Sequence, residues 1–117
     1  MIKLIASDLD GTLLQNEAQE LTPRAIELIR ALTQKGVHFV AASGRQYANI
    51  RRLFAPLGFD IPYIAENGSM CVYKEEVLAT GLTPSKTIRH ILDALMEYRK
   101  IYHTGHCILS VKDTYYS

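Results

Sequence analysis

The N-terminal stretch constrains the fold most strongly, because a short apolar run leads directly into two carboxylates. Residues 2–6 are mostly apolar, and Asp8 and Asp10 follow, with Leu9 between them and Gly11 after them. An apolar run of this length indicates a strand buried on both faces, as in a parallel sheet, and Gly11 permits a sharp turn. The alternative is that the aspartates only cap a turn, but a capping aspartate needs neither a second carboxylate nor an apolar run before it.

Strand and helix signals then alternate along the chain. Thr22 and Pro23 predict a helix start, Gly36 predicts its end, and residues 37–42 form a second apolar strand. A second helix is expected over residues 47–57, and a third strand over 63–65. Strand, helix and strand in this order form βαβ units. The fold class is therefore α/β, with a Rossmann-like parallel sheet as its core.

The pattern changes after the third strand. Asn67-Gly68 is a strong tight-turn signal, so residues 70–73 and 77–79 are expected to pair as a hairpin. Gly81 is interpreted as a linker, which divides the chain into residues 1–81 and residues 82–117. In the second part, Thr83-Pro84 predicts another capped helix, and residues 107–111 predict a half-exposed strand.

Composition excludes several classes of function. The chain has 117 residues and a formal net charge of +1, so no nucleic-acid surface or polybasic membrane patch is indicated. No apolar run approaches the ~20 residues that span a bilayer, and no signal peptide is expected. Cys71 and Cys107 form no CxxC pair and are interpreted as reduced, mostly buried thiols of a cytoplasmic protein.

Polar residues that suit phosphate chemistry follow all three core strands. Asp8 and Asp10 follow the first strand, Ser43 the second, and Asn67 the third. The carboxyl ends of parallel strands are where α/β sheets bind ligands. Mg²⁺ prefers oxygen ligands and commonly takes one or two carboxylates plus substrate phosphate. A carboxylate can also attack phosphorus, a second one can transfer protons, and a hydroxyl with turn amides can stabilise the transferring oxygens.

Three short sequences resemble one family. Residues 8–13, Asp-Leu-Asp-Gly-Thr-Leu, are similar to the DxDGT signature of the haloacid dehalogenase-like phosphohydrolases. Ser43-Gly44-Arg45 resembles the second motif of that family, and Glu66-Asn67-Gly68 is similar to its Cof-type branch, in which a cap is inserted after the third core strand. The resemblance implies a Mg²⁺-dependent phosphatase of small phosphorylated metabolites, possibly sugar phosphates.

The same resemblance implies roles for individual residues. Asp8 would be the nucleophile and a metal ligand. Asp10 would be the general acid and base, and would lend its main-chain carbonyl to the metal. Ser43 would hold the phosphoryl group, and Thr12 would support the aspartate loop. The remaining residues that are expected to line the substrate and phosphate site are Leu9, Gly44, Arg45 and Asn67.

Two later motifs of the family are expected after the cap, a lysine and an acidic GDxxND-like stretch, and neither occurs here. Residues 82–117 are therefore interpreted as the beginning of an α+β cap, truncated, and the core as incomplete. Two alternatives to a phosphatase remain: a phosphotransferase or mutase of the same fold, and a non-catalytic truncated chain.

Because the core is interpreted as incomplete, the first strand is expected to be a sheet edge, which favours self-association. The spacing of His103 and His106 is interpreted as incidental, and His38 as a core or strand-edge histidine.

Overall fold

The computed structural model describes residues 1–111 and 114–116. It divides the chain into two compact units, residues 1–81 and residues 82–117. The first unit contains strands β1 (Leu4–Asp8), β2 (His38–Ala42), β3 (Tyr63–Ala65), β4 (Met70–Tyr73) and β5 (Glu76–Thr80), with helices α1 (Pro23–Gln34) and α2 (Tyr47–Phe54). The second contains α3 (Ser85–Tyr102), β6 (Leu109–Val111) and β7 (Thr114–Tyr116).

The first unit is built on one five-stranded sheet in the order β1-β2-β3-β4-β5. β1 pairs in parallel with β2, and β2 with β3, whereas β4 and β5 run antiparallel as a hairpin. The α/β fold with a Rossmann-like parallel core is therefore confirmed. Lys74 and Glu75 both have positive φ at the tip of the hairpin, as tight two-residue hairpin turns require.

Helix α1 begins and ends where its sequence signals predict. The Thr22 side chain accepts a hydrogen bond of 3.1 Å from the Ala25 amide, and Pro23 is the first helical residue. Gly36, with a φ of 78°, follows the helix in the left-handed region that glycine favours. Helix α2 is shorter than predicted, because Pro56 follows it and residues 55–57 form a 3₁₀ turn.

The core of the first unit lies between the sheet and its two helices. Its aromatic side chains pack edge to face, with ring centroids 5.5 Å apart for Tyr47 and Tyr63 and 6.1 Å apart for Phe54 and Tyr63. Ile50 and Leu9 are fully buried. The core therefore extends directly beneath the loop that carries the two aspartates.

Several predictions about burial were wrong. β1 is not buried on both faces, because Leu4 is 55% exposed, whereas its predicted place at a sheet edge is confirmed. His38 is exposed at the start of β2, Cys71 is only half-buried, and Cys107 is exposed. In each case the neighbouring residues in sequence are apolar and suggested a buried position, but the described residues do not bury it.

The second unit differs from its sequence prediction at one helix end. Pro84 occupies the N-cap position of α3 with no side-chain cap, so Thr83 does not cap this helix. No residue of α3 is buried, and β6 begins at Leu109 rather than at residue 107. Among the described residues, no helix combines the length and the apolar character that crossing a bilayer takes.

Candidate active site

A pocket of about 260 Å³ lies at the carboxyl ends of the parallel strands. Its walls come from the residues that end β1, β2 and β3 or directly follow them, since parallel strands end at the same edge of a sheet. The lining residues are Asp8, Ala42, Ser43, Gly44, Ile64, Asn67 and Gly68. The fold thus brings together four of the predicted site residues, the nucleophile candidate Asp8 among them.

Ser43 joins the ends of β2 and β3. Its amide donates to the Ile64 carbonyl at 2.9 Å, and its carbonyl accepts from the Asn67 amide at 3.2 Å. The Ser43 hydroxyl accepts a 3.1 Å hydrogen bond from the Arg45 amide, and the residue is 7% exposed. The hydroxyl oxygen is therefore held in one place, with its own proton available to donate.

Gly44 allows Asn67 to approach the loop after β2. A Cβ atom at Gly44 would lie 2.8 Å from the Oδ1 atom of Asn67, closer than real Cβ contacts come. Asn67 itself has φ 56° and ψ 33°, a left-handed conformation in which asparagine is enriched. Glycine at residue 44 therefore lets the Asn67 side chain lie against this loop, and asparagine suits the left-handed backbone of residue 67.

The Asp8 carboxylate is uncommitted. Within residues 1–111 and 114–116, no side chain or amide donates a hydrogen bond to it, and it forms no ion pair. The residue is exposed and lines the pocket. An ionised carboxylate with free lone pairs can act as a nucleophile or as a metal ligand.

Asp10 lies in different surroundings, because Arg45 holds its carboxylate in a two-pronged ion pair. The Arg45 Nε and Nη2 atoms lie 2.9 Å and 2.6 Å from the two Asp10 oxygens, and Arg45 Nη1 donates to Asn49 Oδ1 at 3.0 Å. The hydrogen bonds from Arg45 lower the pKa of Asp10 below its ordinary value, and the same contacts raise the pKa of Arg45. The ion pair thus favours the ionised form of Asp10. Asp10 does not line the 260 Å³ pocket.

Leu9 and Thr12 shape the aspartate loop. The Leu9 carbonyl accepts hydrogen bonds from the Thr12 amide at 3.1 Å and the Leu14 amide at 2.8 Å, and Gly11 donates to the Leu14 carbonyl at 2.8 Å. The Leu9 side chain is fully buried, so only its main chain can meet a substrate. Neither Leu9 nor Thr12 lines the pocket.

Two oxygen groups of the aspartate loop could hold a metal ion. They are the Asp8 carboxylate and the Asp10 carbonyl, which accepts no hydrogen bond from any residue in the described ranges. These donors fit Mg²⁺, which keeps several waters and is often held by one or two carboxylates. Among the described residues, no three His, Cys, Asp or Glu side chains cluster as a metal site.

His103 ends α3 in a left-handed conformation and His106 lies beyond the helix.

Sequence reasoning missed Asn49 of α2, whose Oδ1 atom accepts a hydrogen bond from Arg45. Its spacing of four residues from Arg45 is the signal that could have revealed it, since side chains four residues apart can meet on a helical turn.

The haloacid dehalogenase-like hydrolase family model matches residues 5–117. The chain belongs to this family. The match includes the aspartate loop, the loop after β2 and the turn after β3, so the residues that surround the pocket all lie inside it.

Curated relatives of the chain are phosphatases. It is 40% identical over 77 residues to phosphoglycolate phosphatase 1 of Saccharolobus solfataricus, a match that covers 65% of this chain and 34% of the relative. It is 30% identical over 95 residues to the 5-amino-6-(5-phospho-D-ribitylamino)uracil phosphatase YbjI of Escherichia coli, covering 81% of this chain and 35% of that protein. The chain therefore spans about a third of the length of these relatives.

Solved structures show the same fold. A phosphatase of the haloalkanoate (HAD) enzyme superfamily from Bacteroides thetaiotaomicron superimposes with a TM-score of 0.72 at 28% identity, over 84% of this chain and 36% of that one. A HAD subclass IIB sugar phosphatase gives a TM-score of 0.73 at 26% identity, over 97% of this chain and 42% of the other. The family and the fold are thus supported by sequence and by structure.

Proposed function

We propose that the chain carries the nucleophile-bearing part of a Mg²⁺-dependent, cytoplasmic phosphohydrolase that acts on small phosphorylated metabolites through an aspartyl-phosphate. The supporting observation is the pocket in which the uncommitted Asp8 carboxylate faces Ser43, Gly44 and Asn67. The phosphatase names of the curated relatives, one of which acts on phosphoglycolate, agree with a small phosphorylated substrate.

In the first half-reaction, an Asp8 carboxylate oxygen attacks phosphorus and the bond from phosphorus to the leaving oxygen breaks. The product is an aspartyl-phosphate, a recognised form of nucleophilic catalysis. The Ser43 hydroxyl and the main-chain amides of the Gly44 and Gly68 turns supply donors for the phosphoryl oxygens. These groups are held by the fold before a substrate arrives, which is the condition for electrostatic stabilisation of the transition state.

Asp10 is proposed as the general acid and base. When protonated, it would donate its proton to the leaving oxygen; in the second half-reaction it would accept a proton from the water that attacks phosphorus and breaks the bond to Asp8. Because Arg45 holds Asp10 ionised in this structure, the carboxylate has to leave or loosen this ion pair before it can act as an acid.

Mg²⁺ would be held by the Asp8 carboxylate and the Asp10 carbonyl. When bound, it would neutralise charge on the phosphoryl group and help to orient it. The second unit, residues 82–117, is proposed as the beginning of the cap that the family inserts after the third core strand.

The first prediction tests the nucleophile. Asp8→Asn keeps the shape of the side chain and removes its attacking charge, so it should abolish covalent labelling of the chain by acetyl phosphate with Mg²⁺. Intact-protein mass spectrometry counts the phosphoryl groups that are added. Asp93→Asn, at an exposed aspartate on α3, is the matched control and should label like the unaltered chain. Labelling of Asp8→Asn at the unaltered level would refute the assignment.

A further inference from the structure

A second concave surface, here called the α2 groove, lies beside the candidate active site. It has a volume of about 500 Å³ and is bounded by the loop before α1 and by one side of α2. Its lining residues are Gln19, Glu20, Leu21, Ile26, Arg45, Asn49, Arg52, Leu53 and Pro56. Two of its residues, Arg45 and Asn49, are already described beside Asp10, and none of the roles assigned above uses the others.

Nitrogen donors line the α2 side of the groove. Asn49 and Arg52 are three residues apart on α2, and side chains with this spacing share a helix face. Arg45 joins them from the residue preceding the N-cap, through its 3.0 Å hydrogen bond to Asn49. The contacts of Arg45 with Asp10 and Asn49 use three of its five N–H donors.

Arg52 is the arginine of α2 that has no partner among the described residues. Its neighbour Arg51 pairs with Glu75 at 2.5 Å, and Arg30 donates to the carbonyls of Pro56 and Leu57. In the part of the chain that the structure describes, Arg52 has neither an ion pair nor a hydrogen bond. Glu20 is the acidic lining residue on the opposite wall, and it does not approach Arg52 within ion-pair distance.

Four further lining residues are apolar, namely Leu21, Ile26, Leu53 and Pro56, and Gln19 is the remaining uncharged polar one. A ligand that suits it therefore has an uncharged body and an acidic group at the end that meets Arg52. Arginine is well matched to such a group, because its planar fork binds carboxylate or phosphate oxygens in pairs.

The groove adjoins the pocket of Asp8. Gly44 lines the pocket, and the next residue, Arg45, lines the groove. The Asp10 carboxylate is bonded to Arg45 and lines neither the pocket nor the groove. A substrate long enough to reach from the pocket past Arg45 would enter the groove.

We infer that the α2 groove binds a second acidic group of the substrate, so that the substrate class is small metabolites that carry a phosphoryl group and a further phosphate or carboxylate. This inference rests on the proposed function, because it assigns the groove to the same substrate. Arg52 and Asn49 bind the second group, and Glu20 opposes it.

Nuclear magnetic resonance of the full chain, with Mg²⁺ present, tests this with two matched probes, fructose 6-phosphate and fructose 1,6-bisphosphate. The amides of Gly44 and Gly68 report on the pocket, and the Nε–Hε signal of Arg52 reports on the groove. Both sugars should shift the pocket signals, and only the bisphosphate should shift the Arg52 signal. The bisphosphate should also bind about fivefold more tightly, the gain that a charge-assisted contact in a partly exposed site provides.

Three variants sharpen the test. Arg52→Gln should remove the advantage of the bisphosphate, Glu20→Gln should increase it, and Arg51→Gln, the same change one residue away and outside the groove, should leave it unchanged. If both sugars shift the pocket signals and bind equally, the inference is overturned and the proposed function stands. If neither sugar shifts the pocket signals, the proposed substrate site fails, and a shift of Arg52 alone would mean that the groove binds anions apart from any substrate, which also overturns the inference.

Discussion

Two carboxylates separated by one residue have opposite surroundings at the candidate site. Asp8 lines the pocket, and none of the described residues donates a hydrogen bond to its carboxylate, whereas both carboxylate oxygens of Asp10 are engaged by Arg45. The fully buried Leu9 between them anchors the loop in the core. The alternation of a buried leucine with exposed aspartates therefore separates the proposed nucleophile from the proposed proton-transfer group within three residues.

The ion pair between Asp10 and Arg45 predicts that the stability of the native state depends on pH. Because Arg45 lowers the pKa of Asp10 below the ordinary value of 3.8, ionised Asp10 stabilises the native state above its unfolded pKa, and this contribution is lost as the pH falls through the lower native pKa. In Arg45→Met the native pKa of Asp10 should rise towards 3.8. Carboxyl ¹³C resonances, recorded against pH in metal-free buffer, measure it directly. Arg51→Met is the control, and an Asp10 titration that is identical in Arg45→Met and the unaltered chain would contradict the contact.

The sequence predicted the residues of the pocket better than their contacts. Asp8, Ser43 and Asn67 could be placed together because each follows a strand of the parallel sheet, and the strand periodicity was readable. The pairing of Arg45 with Asp10 could not be predicted, since it depends on the rotamers of two side chains from separate loops, one half-buried and one exposed. The close approach of Gly44 to Asn67 likewise depends on the register of β2 with β3.

At the scale of elements, the two Thr-Pro sequences show that the same local signal can lead to different helix starts. Thr22-Pro23 caps α1 as predicted, with a bond to the Ala25 amide, but at Thr83-Pro84 the proline itself stands at the N-cap of α3. Helix α1 therefore begins at the proline of its Thr-Pro pair, whereas α3 begins at the residue after the proline. Packing separates the two cases: α1 buries Ile29 against the core, whereas α3 buries no residue that would fix its first turn.

This pair of sequences provides a matched prediction. Thr22→Ala should lower the free energy of unfolding by about 1 kcal/mol, because the first turn of α1 loses its side-chain cap. Thr83→Ala should change it by less than about 0.5 kcal/mol, since an exposed side chain outside such features contributes little. Urea denaturation followed by circular dichroism measures both. Equal losses in the two variants would show that the hydrogen bond of Thr22 does not stabilise the helix.

At the scale of the whole molecule, the sheet has two open edges, and they differ. β5 forms one edge, and its pairing with β4 is interrupted by a register shift at Cys71 and Val72. Such irregularities twist an edge and discourage further pairing. β1 forms the other edge with five consecutive parallel pairs and no irregularity. β1 is therefore the edge better suited to pairing with another strand.

The geometry of β1 shows which of its groups are open. The Lys3 carbonyl accepts from the His38 amide at 2.9 Å, and alternate residues of a strand bond to the same neighbour. Ile5 and Ser7 therefore bond towards β2, whereas the main-chain groups of Leu4 and Ala6 face outwards. The Leu4 side chain is 55% exposed, and the strand contains no proline or charged residue before Asp8 that would protect the edge.

We therefore predict that the isolated 117-residue chain self-associates through β1. Light scattering coupled to size exclusion should give a mass above that of one chain. Ala6→Pro should restore the monomer without unfolding it, because it removes an outward amide and leaves the β1–β2 ladder intact. Leu4→Lys should also weaken the association, since an edge lysine opposes strand pairing, whereas Leu78→Lys, the same change on the β5 edge, should leave it unchanged. A monomeric unaltered chain whose Leu4 and Ala6 amides resist hydrogen exchange would refute the prediction, because those amides would then be covered within one chain.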